Sequence, residues 1–475
     1  MNHEPGAVGP AKGREPGWRA LLSLDYIGPT TTISLGVALY AFNEFFVATA
    51  LPSAVDELGG AALISWAFTF FLVFAIVGGL AAADLKARLG ARTALALSAL
   101  VFLVGSAITV IAPNMPVLIA GRAIQGIGEG VVAAICYALI PVLFPSPLVQ
   151  KIFGLEAFIW AIAAFGGPVL AGFLTEFFSW RVAFGFNLVV GCIFLLLVFL
   201  VVPKGGRGEG VAGPPLLRLG LAGGAILMIS VAAAAAHPMV AGPVCGLALL
   251  LLVGVVSLDR RNANPVLPGA AFRWKDPVGV GLWMILLMPM AQAAGGVFMV
   301  YGFQFLWGYG ATIAGGLAAT LAVAWSVTAI LVAMVSTEIG RLRAIAVSSV
   351  LLAAGAALAA IGVATYQFAL MIAAQLTMGA GMGLNWGPLC QLLMNRTSDA
   401  ERDRTSAMLP TLQTAGYALG AAVFGLVANL AGFGDTADLD GARAGMTAAY
   451  ASATLVALVA AVFGVRTVRG AASIS

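Results

Sequence analysis

The sequence predicts an all-α membrane protein with about fourteen spanning helices. Three observations support this fold class: the composition, the lengths of the apolar runs and the placement of the basic residues. Hydrophobic residues make up 61% of the 475 residues and charged residues only 9%, whereas soluble domains carry about 25% charged residues. A soluble chain could not hide so much apolar surface, but a bilayer accepts it around helices that satisfy their own backbone.

The apolar runs are each long enough to span a bilayer, which takes about 20 residues. They form groups of six, two and six, near 29–52, 63–83, 92–111, 116–144, 151–176 and 181–203, then 216–236 and 238–257, then 277–303, 310–335, 343–363, 367–395, 405–431 and 444–465. This spacing predicts an N-terminal tail (1–28), a six-helix bundle (29–203), a central linker with two extra transmembrane helices (204–275), a second six-helix bundle (276–466) and a C-terminal tail (467–475). The tail 1–28 has no signal-peptide pattern.

The basic residues predict the orientation. With the N-terminus in the cytoplasm, 21 of the 24 lysines and arginines fall in cytoplasmic tails and loops. Only Arg181 and Arg443 fall on the other side, and Arg122 lies within a span. Cytoplasmic loops of membrane proteins carry such an excess. We therefore expect an integral plasma membrane protein, in a bacterial inner membrane given its compact tails and motifs, with both termini cytoplasmic. The charges serve topology, and no nucleic-acid partner is expected.

Three short segments of the first half carry a resemblance. Residues 43–52 have the sequence NEFFVATALP, residues 121–128 have GRAIQGIG, and small residues recur through the fifth run at Gly154, Ala163, Gly167, Pro168 and Gly172. They resemble the helix 1 signature, motif B and the antiporter motif of the 14-helix drug:proton antiporter branch of the major facilitator superfamily. Residues 301–316 and 404–422 are similar to its helix 7–8 corner and helix 11. The resemblance implies two pseudo-symmetric bundles, alternating access, and a fifth helix that seals one half against the other.

The chain departs from this pattern in helix 4, where Glu129 stands at a position that is commonly small in that branch, and at two further places. The acid of the helix 1 signature is replaced by Asn43, with Glu44 one residue later. In the loop after helix 2 the basic end of the motif is present, but Ala87 takes the acidic position and Asp84 lies three residues earlier. We predict a cytoplasmic gate formed by Asp84, Arg88, Gly90 and Arg92.

Acids inside the bilayer are costly and are therefore candidates for function. Of the twenty acids, Glu44, Glu129 and Glu156 lie well inside predicted spans. Arg122, Gln125 and Glu129 have the spacing of one helix face. Because burial and a nearby arginine act on a carboxyl in opposite directions, we predict that Glu129 couples protons and that Arg122 tunes it. The alternative is a structural Arg122–Glu129 pair.

Two further acids have open roles. We predict that Glu44 binds a proton or a cationic substrate, with a hydrogen bond to a neighbouring helix as the alternative. Glu156 is a candidate for proton coupling or for a contact in the cytoplasmic gate. Candidate substrate-binding residues are the polar and amphipathic side chains within spans: Asn43, Gln125, Tyr137, Trp160, Gln292, Gln304, Asn385 and Trp386. The two extra helices carry little polarity, and we expect them at the periphery, facing lipid.

No feature of the sequence predicts an enzyme, a cofactor or a metal site. There is no Walker phosphate loop. Gly126, Gly128 and Gly130 could be mistaken for a dinucleotide-binding loop, but they lie within a span with no preceding strand, so that interpretation is rejected. The four cysteines have no CxxC spacing and there are only two histidines. The expected partners are a small-molecule substrate, protons and the lipid bilayer, and we expect a monomer.

The predicted function is proton-coupled antiport that exports small apolar or amphipathic compounds, as in multidrug efflux. One alternative is a dedicated exporter of a metabolite, a siderophore or a lipid, which a narrow resistance profile would favour. Another is a non-transporting membrane sensor or assembly factor on the same scaffold. Uptake by proton symport is less favoured, because the antiporter motif resembles that of exporters.

Overall fold

The chain folds into long helices, with no strand among the residues that the computed structural model describes. These residues are 17–59, 64–204, 216–234, 238–262, 265, 267–271, 273–309, 311–433 and 439–472. The helices are α1 (Ile27–Leu58), α2 (Ile64–Leu89), α3 (Ala91–Val110), α4 (Met115–Leu143), α5 (Ser146–Phe177), α6 (Trp180–Val201), α7 (Leu216–Ala234), α8 (Pro238–Arg260), α9 (Pro277–Tyr301), α10 (Ala311–Ala318), α11 (Thr320–Val332), α12 (Glu338–Ala364), α13 (Phe368–Arg396), α14 (Asp399–Ala428) and α15 (Leu439–Ala472). The all-α membrane fold predicted from the sequence is confirmed.

Local sequence sets where several helices begin. Asn114, Ser179, Asp276 and Thr337 each precede a helix, and each side chain accepts a hydrogen bond from a backbone N–H of the first turn. Such caps satisfy donors that have no partner within the helix. Gly90 separates α2 from α3 with φ of 76°, a left-handed conformation that glycine adopts without steric cost.

The helices form two bundles. Helices α1–α6 pack with one another, as do α9–α15, with α10 and α11 together forming one span. Thirteen segments of the described chain are long and apolar enough to cross a membrane. The 19-residue α7 is a fourteenth helix, paired with α8.

One end of the molecule gathers most of the described basic residues, and we call it the basic face. It contains the α2–α3, α4–α5, α11–α12 and α13–α14 connections with Lys86, Arg88, Lys151, Arg341, Arg343 and Arg396. Two further contacts join chain elements at this face. Arg92 Nε donates to Val202 O over 2.5 Å, and Arg396 pairs with Glu338. Arg181 and Arg443 lie at the opposite face, as the sequence predicted.

Helices α7 and α8 form a hairpin on the outside of the bundles. Helix α7 packs on α2 of the first bundle and on α14 of the second. Its contact with α2 is close, because a Cβ on Gly223 would lie 2.6 Å from Val77 Cγ2. Arg218 and Asp259 join the two helices by an ion pair. The peripheral position agrees with the interpretation of the sequence.

Helical structure extends into both predicted tails. The segment Trp18–Leu22, within the predicted tail, is a short 3-10 helix. Helix α15 continues to Ala472, past the predicted start of the C-terminal tail at 467, because a helix can extend beyond its apolar segment into water. The rest of the predicted N-terminal tail (1–16, with Lys12 and Arg14), the linker stretch 205–215 with Arg207, and 473–475 lie outside the described residues.

Candidate functional site between the two bundles

A cavity lies between the bundles, bounded by α1, α2, α4 and α5 on one side and by α14 on the other. Its lining combines one acid with aromatic and hydroxyl side chains: Val37, Tyr40, Ala75, Glu129, Gly130, Ala133, Tyr137, Trp160, Pro410, Thr411, Gln413 and Thr414. The ring of Trp160 meets that of Tyr40 edge-on, with centroids 5.5 Å apart. The lining therefore presents aromatic and apolar side chains and one carboxyl group to the cavity.

Glu129 is the acid of this cavity. Its side chain is only 2% exposed, and neither carboxylate oxygen has a hydrogen-bond partner among the described residues. A buried carboxylate without partners is costly. The group is therefore suited to bind a proton or a cation from the cavity.

The glycines of α4 bring Glu129 to this position. A Cβ on Gly126 would lie 2.3 Å from Phe71 O, and one on Gly130 would lie 1.9 Å from Ala75 O. Only glycine permits this approach of α2 to α4, since larger side chains would push the backbones apart.

Arg122 lies about two turns earlier on the same face of α4, and it bonds elsewhere. Its Nη1 donates to Asn43 Oδ1 over 3.1 Å and to Gln125 Oε1 over 2.5 Å. Its Nε donates to Ala67 O, and its guanidinium lies 4.0 Å from the centre of the Phe71 ring. Arg122 and Glu129 thus share a helix face, as the spacing predicted, but no hydrogen bond or ion pair joins them.

Asn43 is the centre of this buried polar network. Its Oδ1 accepts from Arg122, from Gln125 Nε2 (3.3 Å) and from Asn187 Nδ2 (3.0 Å). Gln125 also donates to Ser106 Oγ over 2.8 Å. The network joins α1, α3, α4 and α6 inside the first bundle. Neither Asn43 nor Gln125, both predicted to bind substrate, lines the cavity.

Glu44 points away from this network. Its side chain is exposed although it lies mid-way along α1. It is within electrostatic range of Arg122 and of Tyr417 on α14. The hundred-degree turn between adjacent helix residues therefore separates Asn43, in the bundle interior, from Glu44, which faces the other bundle.

Below the cavity, towards the basic face, the bundles meet along a line that we call the seam. Trp386 Nε1 of α13 donates to Tyr137 Oη of α4 over 3.1 Å, and Tyr137 donates to Glu156 Oε2 of α5 over 3.0 Å. Ser326 Oγ of α11 donates to Ala157 O over 2.8 Å. Gln150 Nε2 donates to Gln391 Oε1 over 2.7 Å.

The end of the seam nearest the basic face carries an ion pair. Lys86 Nζ of α2 lies 2.6 Å from Asp403 Oδ1 of α14. The bonds of the seam thus lie on the side of the cavity nearest the basic face. The seam closes the cavity on that side.

The four residues predicted as the gate lie beside this ion pair and are not part of it. Within the described chain Asp84 has no hydrogen bond or ion pair, and Arg92 bonds to Val202 O within its own bundle. Arg88 has a buried Nε and Nη2 with no hydrogen-bond partner in the structure. Gly90 shapes the α2–α3 turn. The contact with the second bundle is made by Lys86 and Asp403.

The small residues of α5 face different partners. A Cβ on Gly154 would meet Trp18 and Ala333, the residue that follows α11, whereas one on Gly167 would lie 2.9 Å from Phe45 Cβ of α1. Ala163 is buried, and α5 continues as one helix through Pro168. Gly172 has only an ordinary contact distance to Thr49. Of the five, Gly154 is at the junction with the second bundle.

The remaining substrate candidates divide into two groups. Tyr137 and Trp160 line the cavity, and Trp386 lies at the seam next to it. Gln292, Gln304 and Asn385 are not among the lining residues; Asn385 lies within the second bundle, facing Ser348. The sequence analysis missed the contribution of α14, namely Pro410, Thr411, Gln413 and Thr414. It also missed Tyr40, which lies one helical turn before Glu44.

The match to known proteins agrees with this architecture. The family model of the Major Facilitator Superfamily matches residues 33–421. The chain belongs to the major facilitator superfamily. It is therefore an integral membrane transporter for small-molecule substrates, and transporters of this family are not enzymes.

A curated relative covers nearly the whole chain. It is a probable multidrug-efflux transporter of Mycobacterium tuberculosis strain H37Rv, 32% identical over 456 residues, which are 91% of this chain and 96% of the relative. Among solved structures, the human organic anion transporter MFSD10 (TETRAN) superposes with a TM-score of 0.68 at 15% identity, over 93% of this chain and all of that one. A bacterial homologue of the iron transporter ferroportin, in an outward-facing state, gives 0.64 at 13% identity, over 92% and 99%. These structures support the fold.

Proposed function

We propose that this transporter exports small apolar or amphipathic compounds from the cytoplasm by proton-coupled antiport. The observation that carries the proposal is Glu129, a buried carboxyl group without partners in a cavity between two bundles. The name of the Mycobacterium tuberculosis relative, a probable multidrug-efflux transporter, supports the efflux part.

The orientation follows from the basic face. Because cytoplasmic loops carry the excess of lysine and arginine, we place the basic face in the cytoplasm, with both termini on that side of the inner membrane. The closed seam then separates the cavity from the cytoplasm. In this state the cavity would release substrate outwards and take up protons from outside.

The transport cycle uses the cavity as a site for alternative occupants. Binding of a proton removes the charge of Glu129, and the cavity loses its attraction for a cationic or polar group of the substrate. The bundles then rock about the central cavity, as transporters with a central site do, and the seam opens. On the cytoplasmic side the proton leaves, the carboxylate forms again and the next substrate enters. Glu44, exposed and facing α14, would extend the negative field of the cavity.

The direction of transport is tested in inverted membrane vesicles energised with a respiratory substrate. Efflux by antiport predicts that the vesicles accumulate a fluorescent lipophilic dye, and that a protonophore releases it. The matched comparison is Glu129→Gln against Glu176→Gln. Glu176 is an exposed acid near the C-terminal end of α5 and is not among the lining residues of the cavity. Uptake by symport is favoured if energised inverted vesicles lose dye. A dedicated exporter is favoured if the vesicles accumulate none of the drugs tested but do accumulate a single metabolite, siderophore or lipid.

A further inference from the structure

Glu156 stands apart from the substrate cavity and has an environment of its own. Its side chain is 3% exposed. Oε2 accepts the hydroxyl of Tyr137 over 3.0 Å, while Oε1 has no partner among the described residues. It lies next to Ala157, whose carbonyl accepts from Ser326 of the second bundle. A carboxyl group is thus enclosed in the seam itself.

The groups that face Glu156 supply no positive charge. The titratable side chains close to it are Cys136 and Tyr137 of α4 and Cys390 of α13. Helix α11 contains no titratable residue, and Tyr40 of α1 lies against Trp160, one turn further along α5. No lysine, arginine or histidine in the described chain is placed against the carboxyl. An anion here is enclosed without a counter-ion, which is costly.

Tyr137 connects this carboxyl to the cavity. It is a lining residue of the cavity, and its hydroxyl is bonded to Glu156 on one side and to Trp386 on the other. Hydroxyl groups can pass a proton along such a chain, because each oxygen accepts one proton as it gives up another. The side chain that links the two bundles is therefore also a path between cavity water and Glu156.

We propose that Glu156 is a second proton-carrying residue, loaded from the cavity through Tyr137, and that its protonation stabilises the closed seam. This inference deepens the proposed antiport, on which its place in the cycle rests. In the loading step a hydronium ion in the cavity gives a proton to Tyr137 Oη and becomes water. The original Tyr137 proton moves to Glu156 Oε2, so that one O–H bond breaks and one forms at Tyr137.

The neutral state fits the seam better than the charged one. After loading, the new O–H of Glu156 can donate to Tyr137 Oη, which still accepts from Trp386 Nε1. Opening of the seam to the cytoplasm exposes Glu156 to water, where the carboxylate is well solvated, and the proton is released there. Closure and proton uptake are linked, since the closed form binds the proton more tightly and protonation must favour closure equally.

The test measures closure of the seam as a function of pH. Spin labels at Ala87→Cys on α2 and Ile339→Cys on α12, both exposed at the basic face, report the distance between the bundles by pulsed electron paramagnetic resonance. Cys192 and Cys245 are replaced by alanine, and the full-length protein is studied in lipid nanodiscs. We expect the open fraction of the unmodified seam to rise with pH. A distance distribution that does not depend on pH would overturn the proposal.

Three variants separate Glu156 from other acids. Glu156→Gln is expected to stay closed throughout and to lose the pH dependence. Trp386→Phe keeps the carboxyl and removes one bond of the closed state, so its midpoint should move to lower pH. Glu176→Gln, a change at an exposed acid near the C-terminal end of α5, is the control and should keep the pH dependence. The proposal fails if Glu156→Gln titrates as the unmodified protein does, or if Trp386→Phe leaves the midpoint unchanged.

The failure of the antiport proposal would look different. Absence of substrate-driven proton flux in the unmodified transporter would contradict antiport, whereas the distance measurement uses no substrate. If the label distance depends on pH through Glu156 in a transporter that shows no proton flux, the switch proposed for Glu156 stands, but it has no role in coupling.

Discussion

Lys86 Nζ lies 2.6 Å from Asp403 Oδ1, an ion pair that joins the end of α2 to the start of α14 across the two bundles. The lysine is 12% exposed and the aspartate 50%. The pair is one of the bonds that join the two bundles at the basic face. It breaks whenever the bundles separate there, so it contributes to the balance between open and closed states.

Removal of this pair should shift the balance towards the open seam. Half-exposed ion pairs contribute up to about 1 kcal/mol, so Lys86→Ala or Asp403→Asn should raise the open-to-closed ratio by at most about fivefold. The distance between the labels on α2 and α12 measures the ratio. The charge exchange Lys86→Asp with Asp403→Lys should restore it. An open fraction that neither single variant changes would contradict a role for the pair in the gate.

Asn43 offers a sharper test of the buried network. Its Oδ1 accepts three hydrogen bonds while its own Nδ2 has no partner in the described structure. Asn43→Ala removes the shared acceptor and leaves Asn187 Nδ2 without its bond, while Arg122 and Gln125 keep their other partners. An unsatisfied buried donor costs about 1–3 kcal/mol, so the variant should lower the apparent melting temperature. Asn43→Asp keeps the acceptor, removes the unpartnered donor and adds a charge partner for Arg122. We expect it to be as stable as the original protein or more so.

The melting temperature in detergent micelles, followed by tryptophan fluorescence, compares the two variants directly. Equal destabilisation by alanine and aspartate would contradict the assignment of Asn43 as an acceptor.

Gly130 tests whether close helix contact positions Glu129. A methyl group at Gly130 would lie 1.9 Å from Ala75 O, and its accommodation should cost about 1–3 kcal/mol. Gly425→Ala in α14 is the matched control, because nothing lies within 4 Å of a Cβ there. We expect Gly130→Ala to lower both the melting temperature and the transport rate, and Gly425→Ala to lower neither. Equal stability of both variants would show that α2 can move away from α4 at no cost.

Glu57 lies at the face opposite the basic face, beyond the apolar part of α1. Its contacts predict a pH dependence of the melting temperature. The hydrogen bond from Arg181 Nη1 (2.5 Å), and next that from Trp180 Nε1 (2.7 Å), lower the pKa of Glu57 from its usual 4.5. Because the pKa is lowered on folding, this stabilisation is present above the unfolded value and is lost as the pH falls through the folded one.

The melting temperature of the unmodified protein should therefore fall between about pH 5 and pH 3, the range around and below the usual carboxyl pKa. Glu57→Gln should make the decrease in melting temperature smaller, whereas Glu176→Gln should leave the decrease unchanged. An unchanged acid slope in Glu57→Gln would contradict the contribution of this pair.

Much of the fold could be predicted from the sequence because each bilayer span is a local property. About 20 apolar residues define a spanning helix whatever they pack against, and the loop charges define its direction. The positions of the polar side chains depend on rotation and on contacts distant in the chain. Asn43 and Glu44 are neighbours in sequence, yet one is buried in the first bundle and the other faces the second.

Contacts between helices that are distant in the chain show the same limit of prediction from sequence. The spacing of Arg122 and Glu129 predicted a common face, which the structure has, but could not predict that Arg122 would bond to Asn43 and Gln125. Lys86 and Asp403 are 317 residues apart, and no local pattern in the sequence distinguishes Asp403 from its charged neighbours. Tyr137 was identified as an amphipathic residue within a span; its bonds to Glu156 and Trp386 required the packing of α4, α5 and α13.

The central claim is that Glu129 exchanges a proton for substrate, and proton movement in proteoliposomes tests it most directly. Transporter is reconstituted with a pH-sensitive dye inside, and lipophilic cations and neutral drugs are added one at a time. Substrate-triggered proton flux is predicted for the unmodified protein and for Glu176→Gln, and its loss is predicted for Glu129→Gln. Proton flux of normal size in Glu129→Gln, with a compound that the unmodified protein transports, would contradict the account.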